Sequence, residues 1–422
     1  MRVGVSRVVG SVAAVAVVAG LSACGGSSGS GGSSDQAVVT VWMYPVIADE
    51  KAATTYWTQI EKDFEAANAG IDLRIEQQPW ANRDQKLATA FSGGKGPDVL
   101  LLGPDQIPQF VTSGSLEPVD KVLDADKDKF LPGALDALKV DGKLYAVPIY
   151  HTVTTTVYNK KLLAKAGITK PPETWDEIKA AVPKFKQAGV ATLDYSASPE
   201  ASLNLSFYPL LWQAGGKVFA DDGKSVAFNQ APGVEALTFL KGLYDDGGIP
   251  KSALSNANVV ADQALGKQQV AMGFTNTLID AKTVAASWGA ANVVVGVPLE
   301  NKKRVGFGLP GGLAVNAGSK DVDAAEKFLG FMTQPKQEIS LATASNFLSP
   351  RTDAPVPAAD EQAKKFEEAL QYAYSGEVNP AARQVMTLLS VEIQAVLTGK
   401  KTPQEALDAA AKQSNDLLSR QR

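Results

Sequence analysis

Residues 142–167, GKLYAVPIYHTVTTTVYNKKLLAKAG, constrain the fold more than any other stretch, because one strand–helix rhythm ends there and a second begins. Asp141-Gly142 just ahead is a turn signal. Leu144, Ala146 and Pro148 lead into His151, and 152–157 is β-rich. Tyr158-Asn159-Lys160 then opens a short helix over 161–166, which Gly167 stops. A β-rich segment that joins two such rhythms reads as a crossing between two lobes, with a cleft along it.

Upstream, 38–42 is apolar and β-rich, and Tyr56, Ile60 and Phe64 recur four apart on a helical face within 50–68. Ile71, Leu73 and Ile75 alternate as a strand. Leu87 and Phe91 mark a helix over 83–91, and Gly96-Pro97 precedes a strand at 98–102. Downstream, Thr174-x-x-Glu177 is a capping box: the hydroxyl accepts from an orphan helix N–H and the carboxylate reaches back. A helix to about 187, a strand at 190–195 and helices at 203–214 and 232–244 follow. Strands are expected at 270–274 and 292–297 with a helix between them. Residues 306–312 are glycine-rich, 313–315 is a short strand, and Phe328 and Met332 lie on a helix over 323–332, a return to the first lobe. A third crossing is expected at 347–351, and the tail is helical over 361–374, 380–397 and from 402. Strands alternating with helices define an α/β layer fold.

Residues 1–24 read as an address. Arg2 and Arg7 precede an apolar run, 8–20, too short to span a bilayer as a mature helix. Leu21-Ser22-Ala23-Cys24 resembles the lipobox of bacterial lipoprotein precursors, so that 1–23 is a signal peptide and Cys24 the lipidated N-terminus. Residues 25–34 are only Gly and Ser, and 24–36 reads as a flexible tether.

Composition excludes several chemistries. A chain of 422 residues suggests two or three domains, and a net charge of −4 carries no nucleic-acid signature. Cys24 is the only cysteine and His151 the only histidine, which leaves no internal disulfide and no zinc site of His and Cys. Carboxylate-only Ca²⁺ or Mg²⁺ sites remain open, although no D-x-[DN]-x-[DN]-G loop is visible. A Ser-His-Asp triad would rest on His151, and no G-x-S-x-G elbow supports it. A glycosidase needs two flanking carboxylates; among 45 acidic residues some such pair is unavoidable and carries no weight. Ser92-Gly93-Gly94-Lys95-Gly96 lacks the spacing of a phosphate loop and precedes a strand rather than following one. No cofactor is expected.

Val147-Pro148-Ile149 ahead of Tyr158-Asn159-Lys160 and Gly167, then Pro172-x-Thr174-Trp175-Asp176-Glu177, resembles the family 1 extracellular solute-binding proteins of bacterial carbohydrate ABC importers. Gly96-Pro97-Asp98-Val99, Gln269-Val270-Ala271-Met272 and Gly311-Gly312-Leu313-Ala314-Val315, with Ala325-x-x-Phe328-Leu329 behind, match in the same order. The resemblance implies a two-lobe periplasmic-binding-protein-like fold of type II, hinged by about three segments. Lobe 1 would be 37–150 plus 308–346, and lobe 2 would be 151–307 plus 347–422. It implies a monomer that captures a mono- or oligosaccharide and delivers it to permease subunits, lipid-anchored at the outer face of the cytoplasmic membrane, with no catalysis. A glycerol phosphodiester or polyol derivative is the alternative ligand, and a surface glycan-active enzyme the alternative class.

Sugars present apolar faces and a rim of hydroxyls, so a cleft needs aromatic platforms together with carboxylates, amides and backbone N–H groups. Open α/β sheets place ligands at loops after strands. Tyr44 follows the first strand and Trp80 the second; each is either a platform or structural. Asp105 follows the third, where the resemblance implies a sugar-binding aspartate, although helix capping is the other use for it. His151 lies in the crossing, as a ligand contact or a satisfied hinge histidine. Of Asn204, Phe207 and Tyr208, one is expected to face ligand and two to be core. After Met272 the family usually carries Gly-x-Trp; here Asn276 is expected to supply an amide instead, and Trp288 to be structural. Gly311 and Gly312 would let backbone approach the ligand, and Arg351 would face the cleft or the surface.

Overall fold

The computed structural model describes residues 36–79, 83–199, 201–256, 260–355 and 360–420, with Asp84 by its backbone alone. Cys24, the Gly/Ser tether and Trp80 lie outside the described residues.

The strands in chain order are β1 (Ala37–Met43), β2 (Ile71–Gln77), β3 (Val99–Leu102), β4 (Leu116–Glu117), a short hairpin of β5 (Lys139–Val140) and β6 (Lys143–Leu144), then β7 (Val147–His151), β8 (Thr155–Asn159), β9 (Ala191–Leu193), β10 (Val270–Asn276), β11 (Val293–Val295), β12 (Gly306–Phe307), β13 (Pro310–Asn316) and β14 (Ala373–Tyr374). The first four of these with β7 and β13 form a six-stranded sheet in the order β2-β1-β3-β13-β4, with β7 also on β13. β1 runs parallel to β2 and β3, the arrangement expected where helices such as Glu50–Ala67 make the crossovers. β13 arrives late in the chain and pairs antiparallel with β3, in register Gly312 to Leu102. A four-stranded sheet, β11-β8-β10-β9, lies beyond the crossing.

Each sheet has its own apolar interior. The buried residues around the six-stranded sheet come from 39–150 and 313–341, with Phe64, Phe328 and Leu100 fully buried among them. Those around the four-stranded sheet come from 153–299 and from 348 onward. The capping box forms as its residues dictate: Glu177 N donates to the Thr174 hydroxyl at 3.2 Å and Thr174 N to the Glu177 carboxylate at 3.1 Å.

Three stretches pass between the two interiors and lie side by side. Thr152 N donates to Leu309 O at 3.1 Å and Thr154 N to Phe307 O at 2.6 Å, while His151 N donates to Leu348 O at 2.7 Å. The return bonds of a ladder are missing, since Gly308 N donates to Tyr374 O and Leu309 N to the Thr152 hydroxyl, which is why 152–154 is not strand although its residues favour β. Gly308 makes that approach possible, since a Cβ there would lie 2.2 Å from Thr152 O.

Elsewhere the elements depart locally from expectation. The helix expected at 203–214 is a 3₁₀ turn, Leu203–Leu205, followed by a helix, Phe207–Gln213. Pro209 falls in the first turn of that helix, where its missing N–H has no intrahelical bond to lose. The helix expected over 361–374 ends at Ala369, because Ala373 and Tyr374 pair with Gly306 and Phe307.

Candidate functional site

A cavity of about 1360 Å³ opens between the residues of the two interiors. One wall comes from the six-stranded sheet: Leu101 and Leu102 at the end of β3, the following Gly103–Gln106 loop, Tyr150 of β7, and Arg83. The opposite wall comes from Asn204, Tyr208 and Trp212, the segment 375–380, and Arg383 and Met386 on the helix Ala382–Leu397. Ligand sites in proteins more usually measure about 300–1,000 Å³, so this one accepts more than a monosaccharide-sized solute.

Asp105 stands where the sequence puts it, in the loop after β3, and lines the cavity. It does not cap the next helix: Ile107–Thr112 has Gln106 at its N-cap with no side-chain cap bond. The Gln106 amide oxygen instead accepts from Gly103 N at 3.1 Å, tightening the loop that presents Asp105. Arg383 Nη2 reaches Asp105 Oδ2 at 3.4 Å from the other wall, so the pair spans the cavity.

Aromatic rings form much of the remaining surface. Tyr150 stacks on Phe347 with ring centres 4.6 Å apart, and burial raises its phenol to a pKa of about 12, so it is a neutral hydroxyl. Tyr208 packs beside Trp212 at 5.9 Å, and Trp212 meets Tyr374 edge-on at 5.0 Å. The Tyr208 hydroxyl and the Trp212 indole N–H are buried without a protein partner, and each lies on a residue that lines the cavity. The charged side chains of the lining are Arg83, Asp105, Glu377 and Arg383, two of each sign.

Of the other expected site residues, Asn204 lines the cavity with Asp105, and Phe207 does not: it is wholly buried in the interior of the four-stranded sheet. Tyr44 is 1% exposed and packs in the other interior, with the Arg83 guanidinium 5.5 Å from its ring centre. It supports a cavity residue instead of being one. His151 is buried, and its Nδ1 lies 2.7 Å from Thr152 O, so the ring satisfies the crossing. Burial lowers its pKa to about 4, and the ring is neutral at physiological pH.

Gly311 and Gly312 do not line the cavity, and packing requires them: a Cβ on Gly311 would lie 2.0 Å from the Tyr150 ring, and one on Gly312 would lie 2.7 Å from the Ala146 side chain. Arg351 is neither in the cavity nor at the surface. Its side chain is 2% exposed and donates to Asp353, Asp126 and Thr333 O, with Phe130 beneath the guanidinium at 4.9 Å. Asn276 lines a second, much smaller pocket that shares Leu205 with the large cavity. Trp288 is buried, as expected.

Sequence reasoning missed Arg83, Tyr150, Glu377 and Arg383. Trp212 both packs in the interior and lines the cavity. Tyr150 was legible next to His151, since alternate residues of a strand face opposite ways. Arg383 carries no local signal, because a tail helix 278 residues beyond Asp105 meets it only through the tertiary fold.

Comparison with known proteins agrees with this geometry. A family model described as bacterial extracellular solute-binding protein matches residues 48–339. The diacetylchitobiose binding protein DasA of Streptomyces coelicolor is 29% identical over 330 residues, covering 74% of this chain and 72% of that protein. The GacH receptor of Streptomyces glaucescens, solved unliganded and with acarbose, is 25% identical with a TM-score of 0.75, covering 91% of this chain and 99% of that one. The sugar-binding protein MalE of Xanthomonas citri has the same fold, at 22% identity and a TM-score of 0.81, covering 91% and 98%. These relatives are binding proteins or receptors by name. With the family model spanning most of its length and a cavity set between two α/β sheets, the chain belongs to the bacterial extracellular solute-binding proteins.

Proposed function

We propose that the protein is the substrate-binding component of a carbohydrate ABC importer, which captures a mono- or oligosaccharide in the large cavity and delivers it to the permease. The observation that carries this reading is the pairing of rings with polar groups on facing walls. Tyr150, Tyr208 and Trp212 offer apolar faces, and Asp105 and Asn204 offer hydrogen-bonding groups. A bond to a charged group contributes about 1.5–3 kcal/mol, and a ring contact about 0.5–1.5 kcal/mol beyond its area. A few of each, less the cost of closure, reach the roughly −8 kcal/mol of micromolar binding. The names of DasA and GacH's ligand acarbose support a saccharide.

On this reading 37–150 with 308–346 is one lobe, 151–307 with 347–422 the other, and the three side-by-side stretches are hinges. The expected result is a melting temperature that rises with the cognate saccharide, by RT ln(1 + [L]/Kd) in stability, together with a smaller radius of gyration in solution scattering. A library of mono- and oligosaccharides that gives neither change, or a ligand that is turned over on prolonged incubation, sinks the reading. Arg83 and Arg383 in the lining favour a second ligand class, a glycerol phosphodiester or other anionic polyol ester. Including such esters in the same screen separates the two.

The Leu21–Cys24 lipobox and the tether support anchoring through Cys24 at the outer face of the membrane. Cys24→Ser is expected to release the protein from the membrane fraction or leave it unprocessed, with saccharide affinity unchanged. Unaltered membrane retention of the variant rejects the anchor.

A further inference from the structure

The second, smaller pocket, about 30 Å³, lies where the end of β9 meets the β10 loop and the helix Leu278–Trp288. Its lining includes Asp194, Ser196, Gln263, Asn276 and Asp280. Asp194 and Asn276 are each 7% exposed, and the Oδ1 atom of each is buried without a protein donor. Both atoms are acceptors on residues lining one pocket, and an unmatched buried acceptor costs about 1–3 kcal/mol. The fold holds Asn276 there. The β8–β10 register slips between Gly273 and Asn276, and Gly273 gives the amide room, since a Cβ at 273 would lie 2.0 Å from Asn276 Oδ1.

Asp280 is the second carboxylate of the set. Its Oδ2 accepts from Thr277 N at 2.8 Å and from the Thr277 hydroxyl at 2.9 Å, which fixes the side chain at the helix start. Burial raises the Asp194 carboxyl to about 7 against backbone hydrogen bonds from Leu265 and Tyr195, and the Asp280 charge adds to the rise. No basic side chain is among the groups acting on either carboxylate. No three His, Cys, Asp or Glu side chains cluster among the described residues, so the set is two carboxylates with amide and hydroxyl oxygens.

We propose that this pocket binds a single hard divalent cation, Ca²⁺ in kind, ligated by Asp194 Oδ1 and Asn276 Oδ1, with Asp280 and water completing the shell. Oxygen ligands of mixed type without imposed octahedral geometry suit Ca²⁺ over Mg²⁺. Two carboxylates place the affinity in the weak range of extracellular modules, Kd about 10⁻⁴–10⁻³ M. Asp194, Asn276 and Asp280 do not line the large cavity, although Leu205 lines both pockets, so the test is made without saccharide.

The test uses the purified protein without saccharide. Going from EDTA to 10 mM Ca²⁺ is expected to raise the melting temperature by roughly 1–3 °C, and Mg²⁺ is expected to do less. Tb³⁺ should show emission sensitised by the nearby Tyr195 that Ca²⁺ displaces. Asp194→Asn should abolish both responses. Asn276→Asp, which adds a charge to the shell, should tighten Ca²⁺ binding at least threefold. The proposal is overturned by a wild-type protein that does not respond to Ca²⁺, by an Asp194→Asn variant that responds equally, or by an Asn276→Asp variant that binds no tighter. Each of those outcomes leaves a pocket that holds water or a protonated Asp194.

Discussion

Arg351→Ala is expected to lower the unfolding free energy by about 3 kcal/mol, with saccharide affinity kept within about twofold for the folded fraction. The guanidinium is 2% exposed and ties the stretch after the helix Pro335–Ser345 to Asp126 and Thr333 O, at 3.1 and 2.9 Å. Removing one partner of a buried ion pair costs about 3–5 kcal/mol. The lower end applies because Asp126 and Asp353 are each about 40% exposed and regain water (41% and 39%). Losses beyond the pair come from the Thr333 carbonyl, the Phe130 contact at 4.9 Å and the void left by the side chain. Denaturant unfolding with calorimetric titration of the bound saccharide separates the terms. Unchanged stability with lost affinity would return Arg351 to the ligand site.

Asp105→Ala is expected to weaken binding at least about 10-fold, while the ligand-free melting temperature moves little. On the proposed saccharide reading two hydroxyl bonds to one carboxylate are lost, each worth roughly 1.5–3 kcal/mol before water compensates. The fold loses little, because the side chain is 46% exposed, caps no helix and meets Arg383 only at 3.4 Å. Such an exposed pair contributes about 0–1 kcal/mol. Titration of wild type and variant with the best ligand from the thermal screen decides it. A variant that binds as tightly as wild type removes Asp105 from the site even if the saccharide reading stands.

The elements of this protein were legible in the sequence because they follow from local chemistry, and its class because ordered motifs resemble a known family. The capping box at Thr174 forms from four residues alone. The apolar alternation at Ile71, Leu73 and Ile75 specifies β2 without reference to any partner. The position of Asp105 beyond a strand end was legible for the same reason, while its role at a site was implied by the resemblance alone. The tertiary structure alone decided which candidates meet solvent. Arg351, Gly311 and Phe207 are residue types that suit a ligand site, yet strand pairing and burial use them for packing. Arg383 and Glu377 enter the cavity from a tail whose sequence signals only helix and loop. Period and propensity report what a residue's neighbours in sequence require. The walls of this cavity are built from contacts hundreds of residues apart, and their positions depend on how two separately packed interiors face each other.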